Sequence, residues 1–183
     1  PFSSLPNSAK GRFVLQIYFS ASVQKLLGVK PAMITKDTEA DTNDTSWLTR
    51  WRCEHICSDK DNRHLFLFTH ATSFFSMVIY QQGLDLHACL QQFQNQLLQQ
   101  LEQRGQLPDK FKIQISIIKG NPRGLITTMN QILYECDVIF ENFFKSYEQL
   151  EQNINHRLRS KEFFRPEERF TEQLLKDNPL QAP

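Results

Sequence analysis

The chain has 183 residues, 40% of them apolar and 22% charged, which is the length of one domain and the composition of a folded protein, not a disordered one. Its 21 basic and 20 acidic side chains leave a formal charge of +1, so no global field draws the whole molecule onto nucleic acid or an anionic membrane. No run approaches the roughly 18 to 20 apolar residues that span a bilayer, and no membrane association is expected.

Residues Pro1 to Gly11 read as a loose leader ahead of a single α+β domain over 12–183. Arg12 to Phe19 is rich in β-branched and aromatic residues and predicts a strand. Ser20 or Ser22 then caps a short helix carrying Val23, Leu26 and Leu27, which Gly28 ends. The polar stretch Lys30 to Asp44 is expected to be a surface loop. Three strands follow as a meander: Trp51 to Ser58, His64 to His70, and Phe74 to Tyr80. Leu65-Phe66-Leu67-Phe68 is apolar on both faces, which places that strand inside the sheet.

Leu86, Leu90, Phe93, Leu97 and Leu101 recur at helical spacing and predict a helix over 84–104 with a Gln-rich outer surface, closed by Gly105. Phe111, Ile113, Ile115 and Ile117 alternate with polar residues as in a half-buried strand. The turn Lys119 to Gly124 leads into a second long helix, whose stripe is Leu125, Met129, Ile132, Cys136, Ile139, Phe143 and Tyr147. Leu150, Ile154 and Leu158 either extend that helix or start another after a break near Asn153. Pro166 followed by Glu167 and Glu168 opens a C-terminal helix with Phe170 and Leu174 inward. The expected architecture is a mostly antiparallel sheet of about five strands, packed by two long helices and a short C-terminal one.

Four groups of residues bear chemistry. Cys53, His55 and Cys57 alternate on one strand face; a turn centred on Lys60-Asp61 sets Cys57 opposite His64 and His55 opposite Phe66. A metal shared by His55, Cys57 and His64 is the functional reading, against buried thiols with edge histidines. The spacing lacks paired CxxC knuckles, and Cys53 lies about 13 Å from Cys57 along a strand, too far to share the ion. Ser73 or Ser76 near His70, or Cys57 near His64, offers two parts of a nucleophilic triad, but no Gly-x-Ser-x-Gly elbow accompanies them. The strand-to-helix turn with Lys119 and Arg123, and Asn130 beyond it, suits an anion, although the Gly-Lys-Ser/Thr ending of a P-loop is missing. Finally, Arg157, Arg159, Lys161 and Arg165 surround Phe163 and Phe164, a pattern for phosphate neutralisation and base stacking that Glu162, Glu167 and Glu168 oppose.

The strand leading into Ser22-Val23-Gln24-Lys25-Leu26-Leu27-Gly28, the Trp51 strand with its charged turn and Leu65-Phe66-Leu67-Phe68, and the stretch Asn121-Pro122-Arg123-Gly124-Leu125-Ile126-Thr127-Thr128-Met129-Asn130 resemble an uncharacterised bacterial family, domain of unknown function 6933. The resemblance spans roughly Arg12 to Phe144. It departs from the family pattern at Ala21-Ser22 and Val23, where members usually carry Cys-Thr before Gln-Lys-Leu-Leu. It implies a fold and a bacterial, often mobile-element, setting, but no activity and no functional residue.

Four scattered cysteines (Cys53, Cys57, Cys89, Cys136) are too few for a disulfide framework and are expected as thiols of a cytoplasmic protein. No cofactor is expected. The leading functional expectation is a non-enzymatic module that binds a protein partner or itself, through Ile126, Leu133, Phe140 and Phe144 outside the main helix stripe. Nucleic-acid binding and anion-ligand binding or catalysis are the alternatives.

Overall fold

Among the described residues, six strands form one mixed sheet: β1 (Arg12–Phe19), β2 (Ile34–Thr35), β3 (Arg50–Ser58), β4 (Arg63–His70), β5 (Ser76–Gln82) and β6 (Lys112–Ile118), in the order β2-β6-β1-β3-β4-β5. The computed structural model describes residues 12–35, 49–58, 62–105, 112–120, 123–143, 147–157 and 164–176; the expected leader, Pro1 to Gly11, lies outside them. β1 runs parallel to both β3 and β6, and β2 parallel to β6, while β3, β4 and β5 form the expected antiparallel meander. The fold is α+β.

Among the described residues, five α-helices cover both faces: α1 (Ala21–Leu26), α2 (Leu86–Gln103), α3 (Arg123–Phe143), α4 (Tyr147–His156) and α5 (Pro166–Lys176). Local chemistry starts α1, α2 and α5. Ser20 Oγ accepts from the Val23 N–H at 3.4 Å, and Asp85 Oδ1 accepts from the Ala88 N–H at 3.1 Å, so each satisfies a donor that the first turn leaves orphaned. Pro166, Glu167 and Glu168 form the first turn of α5. Asn153 lies within α4, with its Nδ2 donating to the Gln149 carbonyl at 2.9 Å, so the expected break near Asn153 does not occur there.

One face carries the larger core. Leu15, Ile17 and Phe19 of β1, Trp51 and Cys53 of β3, Phe66 and Phe68 of β4, and Met77 and Ile79 of β5 meet α1, α2 and α5 there. Phe93 of α2 stacks on Phe68 at 4.2 Å between ring centroids and meets Trp51 edge-on at 5.2 Å, while Phe170 of α5 stacks on Phe75 at 4.3 Å. Each such buried aromatic contributes roughly 1.5–3 kcal/mol through its area alone. The opposite face packs Leu65, Leu67 and Val78 against Leu125, Met129, Ile132 and Cys136 of α3 and Leu150 and Ile154 of α4. Both faces of β4 are therefore buried, as its unbroken apolar run requires.

The second face is not apolar throughout. Arg52 and Glu54, 7% and 8% exposed, pair with each other along β3, Arg52 Nε donating to Glu54 Oε1 at 2.8 Å. Two charges buried this deeply persist because each is the other's partner.

A polar groove along the edge strand

β5 is the last strand of the sheet, and an uncovered edge is a template for pairing with another chain. Here α4 covers it with side chains. Asn155 Oδ1 accepts from the Ser76 N–H, and Glu151 Oε2 accepts from the Val78 N–H at 2.7 Å. Glu151 Oε2 also accepts from Gln96 Nε2 of α2 at 2.8 Å, so one carboxylate bridges the strand edge to the helix on the opposite face.

Between α2 and α4, along this edge, runs a groove of about 980 Å³. Its floor is Phe75, Val78, Ile79 and Tyr80 of the β5 segment. One wall is a row of amides on α2: Gln92, Asn95, Gln96, Gln99, Gln100 and Gln103. The other wall is α4, with Glu151, Gln152, Asn155 and His156; Arg104, Glu167 and Thr171 close one end. The row lies on one side of α2 because 92, 96, 99 and 103 repeat at three and four residues, while Cys89, Phe93, Leu97 and Leu101 face the core.

Arg104 organises the closed end. Its guanidinium lies over the Phe75 and Phe170 rings, 5.5 and 5.7 Å from their centroids, donates to the Gln100 carbonyl at 2.9 Å and pairs with Glu167 at 3.5 Å. Burial pulls its pKa down from the ordinary arginine value, and Glu167 opposes that shift; an arginine stays charged regardless. Glu167 also meets His156 Nε2 at 3.3 Å. The lining thus offers many amide donors and acceptors with two carboxylates against one guanidinium. Such a surface matches an uncharged or weakly basic polar chain, and it repels a phosphate backbone.

The sequence-derived candidates fall elsewhere. His55 is opposite Phe66 as expected, but a bulge between His55 and Cys57 shifts the register, so Cys57 is opposite Leu65 and Ser58 takes the place opposite His64. His64 Nδ1 instead faces His55 Nε2 at 3.4 Å, while Cys57 packs with the second core. Among the described residues, no three His, Cys, Asp or Glu side chains gather as a metal cluster. His70 Nδ1 lies 2.8 Å from Ser73 Oγ, but both residues are 0% exposed and His70 is flanked by Trp51 and Phe170. That pair ties the β4–β5 turn and is closed to any substrate.

Lys119 sits at the turn after β6, exposed, its N–H donating to the Thr35 carbonyl at 3.1 Å. Asn130 is exposed on α3, and the side chain of Arg123 lies outside the described residues. Adjacent parallel strands β1 and β6 send their helices to opposite faces at this end, which is where open α/β sheets bind ligands. Of the basic tail, Arg157 pairs with Glu135 at 3.5 Å and Arg165 with Glu168 at 2.9 Å; Arg159 and Lys161 lie outside the described residues. Ile126 and Leu133 are half-buried, Leu133 against the second core, and Phe140 and Phe144 fall outside the described side chains.

The sequence matches the family described as Domain of unknown function (DUF6933) over residues 16–169. The chain belongs to this family. No curated protein and no solved structure matches it. In this DUF6933 protein the matched span runs from within β1 into α5, so it takes in the whole groove except Thr171. Among the described residues, no helix is long and apolar enough to cross a membrane.

Sequence reasoning missed the groove. Its signal was visible as the Gln repeat of α2, which reads equally well as an ordinary solvated helix face until α4 is found opposite it.

Proposed function

We propose that this protein is a binding module that takes an extended segment of a protein partner in the groove beside β5. The single observation that carries the reading is the amide row of α2 facing the polar wall of α4 across about 980 Å³. An amide side chain both donates and accepts, which is what a peptide backbone requires of its host. From Gln92 to Gln103 the helix rises about 16 Å at 1.5 Å per residue, which is the length of about five residues of extended chain at 3.3 Å each. The strand edge itself is taken by Asn155 and Glu151, so recognition runs through side chains and not through addition of a strand. Four cysteines outside any disulfide support a cytoplasmic setting for this interaction.

The test is selection of a phage-displayed library of random seven-residue peptides, followed by affinity measurement against a Gln92→Ala/Gln99→Ala/Gln103→Ala variant. These three positions are exposed and alanine favours helix, so the variant keeps the fold. Enriched peptides that bind the variant at least tenfold more weakly support the reading. No enrichment, or peptides that bind both proteins equally, overturns it.

A further inference from the structure

The two histidines near the far end of β3 and β4 stand apart from the groove and are arranged for a different ligand. His55 Nε2 and His64 Nδ1 face each other at 3.4 Å. That is longer than the 2.7–3.2 Å typical of N–H···O hydrogen bonds, at the long end for a bond between ring nitrogens. It equals the chord between two nitrogens bound to one tetrahedral metal: with metal–nitrogen bonds of 2.0–2.1 Å, the separation is about 3.3–3.4 Å. The ring centroids are 5.5 Å apart, against about 5.2 Å for two imidazoles that point their lone pairs at a common tetrahedral centre.

The outer nitrogen of His64 is anchored. His64 Nε2 lies 3.0 Å from Asn62 Oδ1, an oxygen that only accepts, so Nε2 carries the proton and Nδ1 presents its lone pair. A carbonyl partner on the far nitrogen is the arrangement that orients a metal-bound imidazole. Two features of the chain create the geometry. The bulge after His55 removes Cys57 from the position opposite His64, and Asn62, with φ of 57°, takes the left-handed conformation at the foot of β4.

We infer that His55 and His64 form a two-imidazole chelate for a divalent transition metal of the kind that imidazole selects, Zn²⁺ or Cu²⁺, with water completing its coordination. Cys57 is not a ligand, which separates this site from one built on the alternation of Cys53, His55 and Cys57.

The experiment is equilibrium dialysis of the full chain against Zn²⁺ alone and Cu²⁺ alone, with electron paramagnetic resonance of the Cu²⁺ form. One equivalent per chain is expected, with hyperfine coupling to two nitrogens. Uptake should survive Cys57→Ser and the double change His87→Ala/His156→Ala, which removes the exposed histidines of α2 and α4. It should fall at least tenfold in His55→Ala and in His64→Gln. Asn62→Gly, which leaves both ligands and tolerates the backbone, should weaken binding by about tenfold. His64 is 5% exposed, and where its variant fails to fold by circular dichroism, the half-buried His55 decides alone. No uptake by the wild-type chain, or uptake that survives His55→Ala, overturns the inference.

Discussion

Asn155 makes with the backbone of Ser76 the two hydrogen bonds that a neighbouring strand would make: its Oδ1 accepts from the Ser76 N–H at 2.8 Å, and its Nδ2 donates to the Ser76 carbonyl at 2.8 Å. One side chain from α4 thus occupies the register position of a seventh strand. Glu151, one helical turn earlier, occupies the next outward-pointing amide at Val78. The groove runs between that helix and α2, and the Gln96–Glu151 hydrogen bond joins its two walls.

Asn155→Asp tests this arrangement most sharply. It keeps the acceptor for the Ser76 N–H but removes the donor to the Ser76 carbonyl, and it sets a charge at a position only 4% exposed. An unsatisfied buried carbonyl costs about 1–3 kcal/mol, so a loss of about 2–3 kcal/mol in urea unfolding is expected. Asn155→Leu loses both bonds and uncovers the edge, so it should also give dimers or larger species on size exclusion. A variant as stable and as monodisperse as the wild type would mean that the edge is protected by other contacts.

At the β6–α3 turn, Gly120 has φ of 150°, and a Cβ there would stand 2.9 Å from Tyr18 Cε1. Tyr18 is 4% exposed, so its ring has little room to yield. Gly120→Ala should therefore lower stability by about 1–3 kcal/mol, as overpacking does. In a double-mutant cycle with Tyr18→Ala, the two changes should couple by more than about 0.5 kcal/mol. Additive effects would assign the glycine to backbone conformation alone.

The meander and the long helices were legible because their signals are local. Leu65 to Phe68 announces burial on both faces, and Phe93, Leu97 and Leu101 announce one helical face. Three things were not. β2 is two residues, Ile34 and Thr35, inside a stretch whose composition is that of a loop, and it exists because β6 offers it a parallel edge. The parallel pairing of β1 with β3 and β6 depends on how the connections cross the sheet, which no periodicity records. The bulge beyond His55 adds one residue without any compositional mark, and that single residue exchanged Cys57 for His55 as the neighbour of His64. For the same reason the groove stayed hidden: its walls are α2 and α4, separated in sequence by β6 and α3.

The buried thiols predict an alkaline limit to stability. Burial, with Asp85 adding to it, pushes Cys89 from 9.0 up to about 12, and burial also raises Cys53 well above its ordinary value. A raised pKa means that the folded state holds protons the unfolded state releases. The contribution is therefore complete below about pH 9 and is lost as pH climbs from there towards 12. Urea midpoints should fall over that range, and less steeply in Cys89→Ala. In native protein, half-buried Cys57 should react with a thiol reagent before Cys53, Cys89 and Cys136, which become reactive on unfolding.

Arg104 joins the end of α2 to α5 by three means at once: its Nε donates to Thr171 Oγ1 at 3.3 Å, its charge meets Glu167, and its plane lies over Phe75 and Phe170. Lysine keeps the charge but offers one compact ammonium without the planar fork. Arg104→Lys is expected to cost about 1–2 kcal/mol through the lost stacking and hydrogen bonds. The loss should be local, so hydrogen exchange should speed up in α5, residues 166–176, while β4 keeps its protection. If both slow and fast amides were unchanged, α5 would be held by Phe170 and Leu174 alone, and the charged end of the groove would be a consequence of that packing and not one of its causes.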